Sequence, residues 1–230
     1  QTDWFPVWLP DSRRLFFGST RLGSTTVFRK TLGEAEDLFA ETALFAGATA
    51  YPLDVSGDER FLVIHAGNPR GYDLVVLNLA GERKASVFLS TPFNEVQGRF
   101  SPNGRWMAYA SDESGRFEVY VRPFPAASGQ TQISIAGGMQ PEWRRDGKEL
   151  LYLSADGKLT AVPVTTDGDT FTAGAPHALF DVDVPEPNAP YPSDYGVTAD
   201  GQHFFINTVV DQSTRPALTV ILNWAAEISK

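Results

Sequence analysis

The stretch Phe100-Ser-Pro-Asn-Gly-Arg-Trp-Met-Ala-Tyr109 contains the signal that decides the fold, a tight turn that leads into a dense apolar strand. The turn is Ser101-Pro-Asn-Gly104, in which Pro presets φ while Asn and Gly tolerate φ > 0. Before it, Val96-Gln-Gly-Arg-Phe100 alternates apolar and polar residues, which is typical of a short strand. After it, Arg105-Trp-Met-Ala-Tyr-Ala110 suits a sheet that is covered on both faces. The stretch therefore predicts a β-hairpin.

Two further strands follow this hairpin and complete a four-stranded unit. Ser111-Asp-Glu-Ser-Gly115 turns the chain again, and Phe117-Glu-Val-Tyr-Val-Arg122 has the period of two expected of a third strand. Thr131-Gln-Ile-Ser134 predicts a short outer strand. We therefore expect one small four-stranded sheet in this part of the chain.

The same phrase, turn residues followed by an apolar strand, occurs five times. Its copies occupy residues 9–17, 55–63, 100–109, 143–152 and 197–205. Aligning one turn position in all five copies gives Ser12, Asp58, Gly104, Gly147 and Gly201, at steps of 46, 46, 43 and 54 residues. A period near 45 with strand-like content is typical of a radial array of four-stranded blades. The repeat therefore predicts an all-β fold, a β-propeller of about five blades.

We expect one continuous array over residues 1–230. Its blades are predicted near residues 1–45, 46–93, 94–135, 136–181 and 182–230. The approach to the fifth repeat, 182–193, carries four prolines and predicts an exposed loop. Only 34–41 and 224–228 have a composition that suits a turn or two of helix. The chain starts directly in a predicted inner strand, so two alternatives stay open: five blades close a ring, or the array is an incomplete ring.

Composition excludes several classes of partner and chemistry. The net charge of −9 argues against a nucleic acid or an anionic membrane, because both attract clustered Lys and Arg. The absence of cysteine excludes disulfides, thiolate metal sites and thiol catalysis. No run of about 18 apolar residues occurs, so we expect no direct insertion into a membrane. Hydrophobic residues make up 42% of the chain, which is enough for a packed interior.

Enzyme motifs are missing from the sequence. It contains no Gly-x-Ser-x-Gly elbow, no glycine-rich phosphate loop, and neither the His-Arg-Asp nor the Asp-Phe-Gly phrase of kinases. His65, His177 and His203 fall in different repeats, so we expect neither a catalytic base nor a zinc site from them. Asp167-Gly-Asp169 and Asp181-Val-Asp183 offer paired carboxylates, but no run of six oxygen ligands follows. We therefore predict a chain without catalytic residues, metal or other cofactor.

A binding site is predicted at the channel of the propeller. The inner strands line such a channel, and we expect the loops that enter them to form its mouth. The polar or aromatic members of these strands are Tyr51, Asp54, Gln97, Arg99, Gln140, Glu142, Asp194 and Tyr195. Arg99 could pair with a ligand carboxylate, and Tyr51 and Tyr195 could stack on a peptide or a ring. The alternative is that these residues hydrate the channel or pair with one another, for example Arg99 with Glu142 across neighbouring blades.

The chain resembles a known group of proteins. Residues 100–125 resemble the WD40-like (PD40) repeat of TolB-type propellers. Residues 137–153 are similar to the propellers that follow the kinase domain in bacterial eukaryotic-like serine/threonine kinases, and 218–224 are similar to how those proteins end. The resemblance covers essentially the whole chain and is strongest in 95–225. It implies a bacterial sensor or scaffold propeller that binds a peptide or protein at its mouth.

Three functional hypotheses follow. The first is a non-catalytic binding, sensor or scaffold propeller that recognises a protein, peptide or small ligand and belongs to a bacterial signalling kinase. If that kinase is attached to a membrane, the resemblance implies an extracytoplasmic location, periplasmic or at the cell surface; otherwise we expect a cytoplasmic one. The second is a homodimer formed through the open blade ends of an incomplete ring. An open end would leave Trp4, Phe16 or Phe205 uncovered in the monomer, which favours self-association. The third is an accessory domain of a prolyl-oligopeptidase-like peptidase.

Overall fold

The chain folds entirely as antiparallel β-structure in the part that can be described. The computed structural model describes residues 2–23, 25–33, 36–38, 49–80, 84–126, 128–184, 193–208 and 219–221. These residues form strands β1 to β20, and no helix occurs among them. Every pairing between these strands is antiparallel. Within the described ranges, no helix is long and apolar enough to cross a membrane.

The strands form five separate sheets in chain order, which we number as blades 1 to 5. Blade 1 consists of β1 (Asp3–Trp8), β2 (Arg14–Ser19), β3 (Thr26–Thr31) and β4 (Glu36–Leu38). Blade 2 consists of β5 (Ala50–Val55), β6 (Phe61–Asn68), β7 (Gly71–Asn78) and β8 (Ala85–Leu89). Blade 3 consists of β9 (Glu95–Phe100), β10 (Trp106–Ser111), β11 (Glu118–Pro123) and β12 (Thr131–Gln132).

Among the described residues, blade 4 has five strands and blade 5 has three. Blade 4 consists of β13 (Gly138–Trp143), β14 (Glu149–Ser154), β15 (Lys158–Asp167), β16 (Thr170–Ala173) and β17 (His177–Asp181). Two strands, β16 and β17, thus take the place of a single outer strand in this blade, and both pair with the long β15. Blade 5 consists of β18 (Tyr195–Val197), β19 (Phe204–Ile206) and β20 (Thr219–Ile221).

Apolar clusters between successive blades hold the array together. The cluster between blades 1 and 2 includes Phe16 and Leu62, and the cluster between blades 2 and 3 includes Val63 and Met107. Equivalent clusters join blade 3 to blade 4 and blade 4 to blade 5. Burying one such side chain stabilises the fold by about 1.5–3 kcal/mol. Sheets stacked face to face in chain order, with neighbouring first strands in contact, are the arrangement of a β-propeller, and this prediction is confirmed.

The turn after each first strand has the same geometry in all five blades. A left-handed residue occupies one equivalent position, at Ser12, Glu59, Gly104, Gly147 and Gly201. Its backbone N–H bonds to the carbonyl three residues earlier in every copy. Our alignment was wrong by one residue in the second copy, where it used Asp58 instead of Glu59. The reason is that this turn begins at Ser56, whose Oγ accepts from the N–H of Phe61 at 2.9 Å.

Several smaller expectations fall on particular segments. The stretch 34–41, considered for a helical turn, contributes strand β4 instead, because Glu36–Leu38 pairs with the exposed edge of β3. The rest of that stretch, the segment 224–228 and the prolines of the predicted loop, within 185–192, lie outside the described residues. That residues 1–230 form one array stays a prediction.

The aromatic residues expected at open blade ends differ in burial. Phe16 is 2% exposed, because it faces blade 2 rather than the end of the array. Trp4 is partly buried, and its ring meets the edge of Tyr51 at 6.0 Å between centroids. Phe205 is 45% exposed. Phe16 is therefore not available for an intermolecular contact, and of these three residues Phe205 is the most exposed.

Candidate functional site

A β-bulge in each first strand of blades 1 to 4 decides where the polar side chains lie. The register shifts at this point in β1, β5, β9 and β13. Phe5, Gln97 and Gln140 begin three of the bulges, with φ of 55°, 57° and 56°. Such a left-handed conformation is uncommon for residues other than glycine, and a bulge re-aims the side chain that carries it.

The bulges and the turns define two rows of equivalent positions across the blades. We call the row at the bulge the glutamine row: Phe5, Pro52, Gln97, Gln140 and Asp194. We call the row two residues later the charged row: Val7, Asp54, Arg99, Glu142 and Gly196. Six of the eight predicted site residues lie in one of these two rows.

The glutamine row forms hydrogen bonds between blades. The backbone N–H of Gln140 donates to Oε1 of Gln97 at 2.8 Å, and the N–H of Asp194 donates to Oε1 of Gln140 at 2.6 Å. The amide of Gln140 also donates to Oδ2 of Asp194 at 2.9 Å. Tyr195 donates its hydroxyl to the carbonyl of Gln140 at 2.8 Å, and burial raises its pKa well above the ordinary value. These four predicted site residues therefore join blades 3, 4 and 5.

Arg99 is the centre of the charged row. Its Nε donates to Oε2 of Glu142 at 2.9 Å, so the pairing considered as an alternative is present. Its Nη1 donates to the carbonyl of Leu53 at 2.6 Å, and its Nη2 donates to Oγ of Ser193 at 3.3 Å. Burial opposes the charge of Arg99, but attraction to Glu142 and Asp54 outweighs it, and the pKa is raised. One guanidinium thus connects side chains or backbone of four blades.

Asp54 is the second carboxylate of the charged row. Its Oδ2 accepts from the backbone N–H of Phe100 at 2.8 Å. The residue is partly exposed and lines the cleft, and its carboxyl group is largely desolvated by the surrounding protein. Burial raises the pKa of Asp54 to about 7; Arg99 opposes this rise and Glu142 adds to it. Near neutral pH the carboxyl is therefore divided between its two protonation states.

The charged row opens into a cleft of about 560 Å³. Asp54, Arg99 and Glu142 lie among its lining residues, together with Trp8 and Arg145. The turns that leave the first strands form much of the lining, not the loops that enter these strands as we expected. The turns line the cleft because each residue of the charged row is the penultimate residue of its first strand and therefore lies next to the turn that follows.

Trp8 lies in a first strand, where the sequence favours packing between blades over contact with a ligand. Its equivalent in blade 4, Trp143, is 6% exposed and donates Nε1 to the carbonyl of Arg99 at 3.2 Å. Trp8 is 52% exposed and lines the cleft. Arg145, which is also exposed and which sequence reasoning missed, follows the first turn residue of its blade.

Tyr51 lies away from the cleft, in an aromatic group between blades 1 and 2. Its ring meets Phe5 at 4.7 Å and packs beside His65, its partner across the β5–β6 pair. His65 also packs against Tyr72 at 4.0 Å, and burial lowers the pKa of His65 to about 4. Its Nε2 is buried without a hydrogen-bond partner among the described residues. Within those residues, no group of three or more His, Asp or Glu could hold a metal ion.

Comparison with known proteins gives the fold alone. No family model and no curated protein matches the sequence. Among solved structures, TolB from Acinetobacter baumannii is similar with a TM-score of 0.69 at 14% identity, over 89% of this chain and 48% of TolB. A puromycin-hydrolysing peptidase of Mycobacterium tuberculosis is similar with a TM-score of 0.62 at 15% identity, over 90% of this chain and 35% of the peptidase.

A third similar structure is an oligogalacturonate lyase solved with manganese, with a TM-score of 0.61 at 13% identity, over 96% of this chain and 62% of the lyase. The similar structures thus include TolB and propeller-bearing enzymes, and the TolB-like β-propeller fold is established. The chain spans about half the length of the A. baumannii TolB structure.

Proposed function

We propose that this chain is a non-catalytic binding propeller that recognises a protein, peptide or small ligand in the cleft above the charged row. The observation that carries the proposal is the cleft of about 560 Å³, in which Asp54, Arg99 and Glu142 from three consecutive blades meet. Pockets that bind ligands combine apolar walls with a few placed polar groups. Here the ring of Trp8 and the side chains of Pro10 and Pro102 supply apolar lining beside the charges.

The test is a selection with a random-sequence peptide library on the immobilised chain, with a fragment screen by ligand-observed NMR in parallel. Ala199 lines the cleft and is exposed, so Ala199→Trp should fill the cleft without disturbing the core. Ala175→Trp, at an exposed position between β16 and β17, is the matched control. We expect enriched sequences or fragments that Ala199→Trp loses and Ala175→Trp retains. Binding that both variants retain equally would place recognition outside the cleft.

We further propose that the propeller belongs to a bacterial signalling kinase with its propeller outside the cytoplasm. This step is supported by the sequence resemblance of residues 137–153 and 218–224. The reading frame upstream of Gln1 should then encode a kinase domain followed by a membrane-spanning helix. A peptidase domain in the same gene would instead favour the accessory role, which the likeness to the M. tuberculosis peptidase supports.

A second candidate function is self-association through a blade face. It is supported by the exposure of Trp8 and Phe205, at 52% and 45%. Under this proposal, light scattering should show a mass that rises with concentration, and Phe205→Ser should restore 25.2 kDa at all concentrations. A constant 25.2 kDa in the unmodified chain contradicts it.

A further inference from the structure

We propose that the cleft selects a cationic group, a lysine or arginine side chain of a peptide, at the carboxylates of Glu142 and Asp54, with its aliphatic stem against Trp8. This inference rests on the proposed binding function of the cleft. It adds the chemical class of the ligand, which neither the fold nor the similar structures supply.

The guanidinium of Arg99 is already occupied and does not serve an anionic ligand well. Its Nε, Nη1 and Nη2 donate to Glu142, Leu53 and Ser193 respectively. Its side chain is only 14% exposed, whereas that of Glu142 is 30% exposed. Nη1 also reaches the carbonyl of Gly98 at 3.4 Å, so four of the five N–H donors of Arg99 are used within the protein and only one, on Nη2, is left for a ligand. The positive charge at the floor of the cleft is therefore directed towards the protein rather than towards the ligand.

The two carboxylates, in contrast, keep capacity to accept. Glu142 uses Oε2 for Arg99, and no hydrogen bond reaches its Oε1 from any described residue. An ionised carboxylate offers about four acceptor sites, and Asp54 binds the N–H of Phe100 through Oδ2. With both acids ionised the floor carries two negative charges against one positive charge. A cation that donates to Glu142 and Asp54 would balance this surplus.

Trp8 supplies a surface suited to the same ligand. Its ring is 52% exposed at the cleft, although its counterpart Trp143 is buried by the preceding blade. The face of a tryptophan attracts ammonium and guanidinium groups, and it also packs against the methylene stem of lysine or arginine. An exposed tryptophan next to an acidic floor therefore fits a long basic side chain better than it fits an anion.

Arg145 sets the direction of the decisive test. This exposed residue is the second cation in the lining of the cleft. If the ligand is cationic, Arg145 repels it, so that Arg145→Ala should strengthen binding. If the ligand is anionic, Arg145 is its most accessible partner, and the same substitution should weaken binding.

The experiment measures the affinity of tetralysine by calorimetry, with tetraglutamate as the opposite probe. Glu142→Gln and Asp54→Asn should each weaken tetralysine binding about tenfold or more, because each removes the negative charge that strengthens the hydrogen bond to the ligand cation. Trp8→Ala should weaken it about threefold or more. Between about pH 6 and 8 tetralysine affinity should rise as Asp54 ionises beside Arg99 and Glu142, since burial places its pKa at about 7.

The matched control is Asp169→Asn, which removes one negative charge from a fully exposed side chain outside the cleft. It should leave tetralysine affinity unchanged. The inference is overturned if Asp169→Asn weakens binding as much as Glu142→Gln, since attraction to the net charge would then suffice. It is also overturned if tetraglutamate binds more tightly than tetralysine and Arg145→Ala weakens binding.

The outcome is separable from that of the proposed function. If the peptide library yields acidic or apolar sequences that Ala199→Trp abolishes, the cleft is a binding site but does not select cations. If neither the library nor the fragments depend on the cleft and tetralysine does not bind, both proposals fail. Basic sequences that depend on Glu142 support both. The fold of Glu142→Gln is checked by circular dichroism, and we expect it to be retained because glutamine still accepts from Arg99.

Discussion

The glutamine row and the charged row cross the same first strands two residues apart, but the structure seals one and leaves the other open. Gln97 and Gln140 are 2% and 1% exposed, and their side chains bind the backbone of the next blade. Glu142 keeps 30% of its side chain exposed and one oxygen without a partner among the described residues. Polar side chains at the bulge of an inner strand thus bind the next blade, whereas those two residues later line the cleft.

The difference between the two rows indicates that a polar group with a structural role is both buried and fully hydrogen-bonded. Buried polar atoms are nearly always hydrogen-bonded because an unmade bond is costly. The glutamine row satisfies this rule through repeated inter-blade bonds. In the charged row Arg99 uses four of its five N–H donors within the protein, whereas its two carboxylate neighbours remain partly available. We therefore expect the stability of this row to depend on its cation and its binding to depend on its anions.

The largest expected effect is that of Arg99→Met. It leaves Asp54 and Glu142 facing each other without the shared cation, and removing one partner of a buried pair costs about 3–5 kcal/mol. The free energy of unfolding in urea should fall by that amount at neutral pH. The loss should shrink towards pH 4, because Asp54, whose pKa burial raises to about 7, is then protonated and carries no charge. Arg145→Met at the rim is the control and should change stability by less than about 0.5 kcal/mol; similar losses for both variants would contradict the central role of Arg99.

Gln140→Ala comes second and tests the glutamine row. It leaves the N–H and the Oδ2 of Asp194 without their partner, at a cost of about 2–4 kcal/mol for two unpaired groups. Urea unfolding should reveal this loss, whereas Gln132→Ala, at an exposed position, should lose less than about 1 kcal/mol. Equal and small losses would mean that the inter-blade bonds add little to the fold.

The third prediction concerns the pH dependence of the stability that Asp54 contributes. Its pKa is about 7 when folded and near 3.8 ordinarily, so the folded state holds the proton more tightly. Its contribution to stability is therefore complete below about pH 4 and lost as pH rises through 7. Asp54→Asn lacks this titration, so its stability relative to the unmodified chain should rise from about pH 4 to 8. A difference that stays constant over this range would show that Asp54 titrates normally beside Arg99 and Glu142.

The smallest effect is expected for His65→Phe, which sharpens the preceding measurement. Burial lowers the pKa of His65 from 6.5 to about 4, so its contribution to stability is present above 6.5 and lost as pH falls towards 4. This trend opposes that of Asp54 in the same window. The variant should gain stability relative to the unmodified chain below about pH 6 and stay within about 1.5 kcal/mol of it at neutral pH. Identical pH profiles would falsify the buried neutral state.

Repeat spacing predicted the blades because each turn and each strand is specified by its own few residues. The turn at Ser101–Gly104 specifies its geometry through its own residues, and strand periodicity follows from alternating burial. The same logic misplaced the second turn by one residue, because there the glycine precedes the aspartate and a glutamate takes the left-handed position at Glu59. Local chemistry identifies a turn when glycine occupies that position and becomes ambiguous when it does not.

Candidate site residues were identified in part by their place in the inner strands. The possible pairing of Arg99 with Glu142 was visible because the two residues occupy equivalent positions in successive repeats. Their separation from Gln97 and Gln140 was not visible, because it depends on a left-handed φ that glutamine rarely adopts. The sequence favoured packing between blades for Trp8 for a related reason: it gives Trp8 the same place as Trp143, and only neighbouring blades decide which of the two is buried.

The all-β fold, the repeat and the set of polar residues in the inner strands could be predicted from the sequence, since turn chemistry and strand alternation act over a few neighbouring residues. Which of those polar residues form bonds between blades and which face a cleft depends on how the blades pack. The bulges turn Gln97 and Gln140 towards the next blade. The stacking of blades joins Asp54 to the backbone of Phe100, 46 residues away, and Arg99 to Glu142, 43 residues away. Contacts at such separations depend on how whole sheets pack, and that information is not contained in any single repeat.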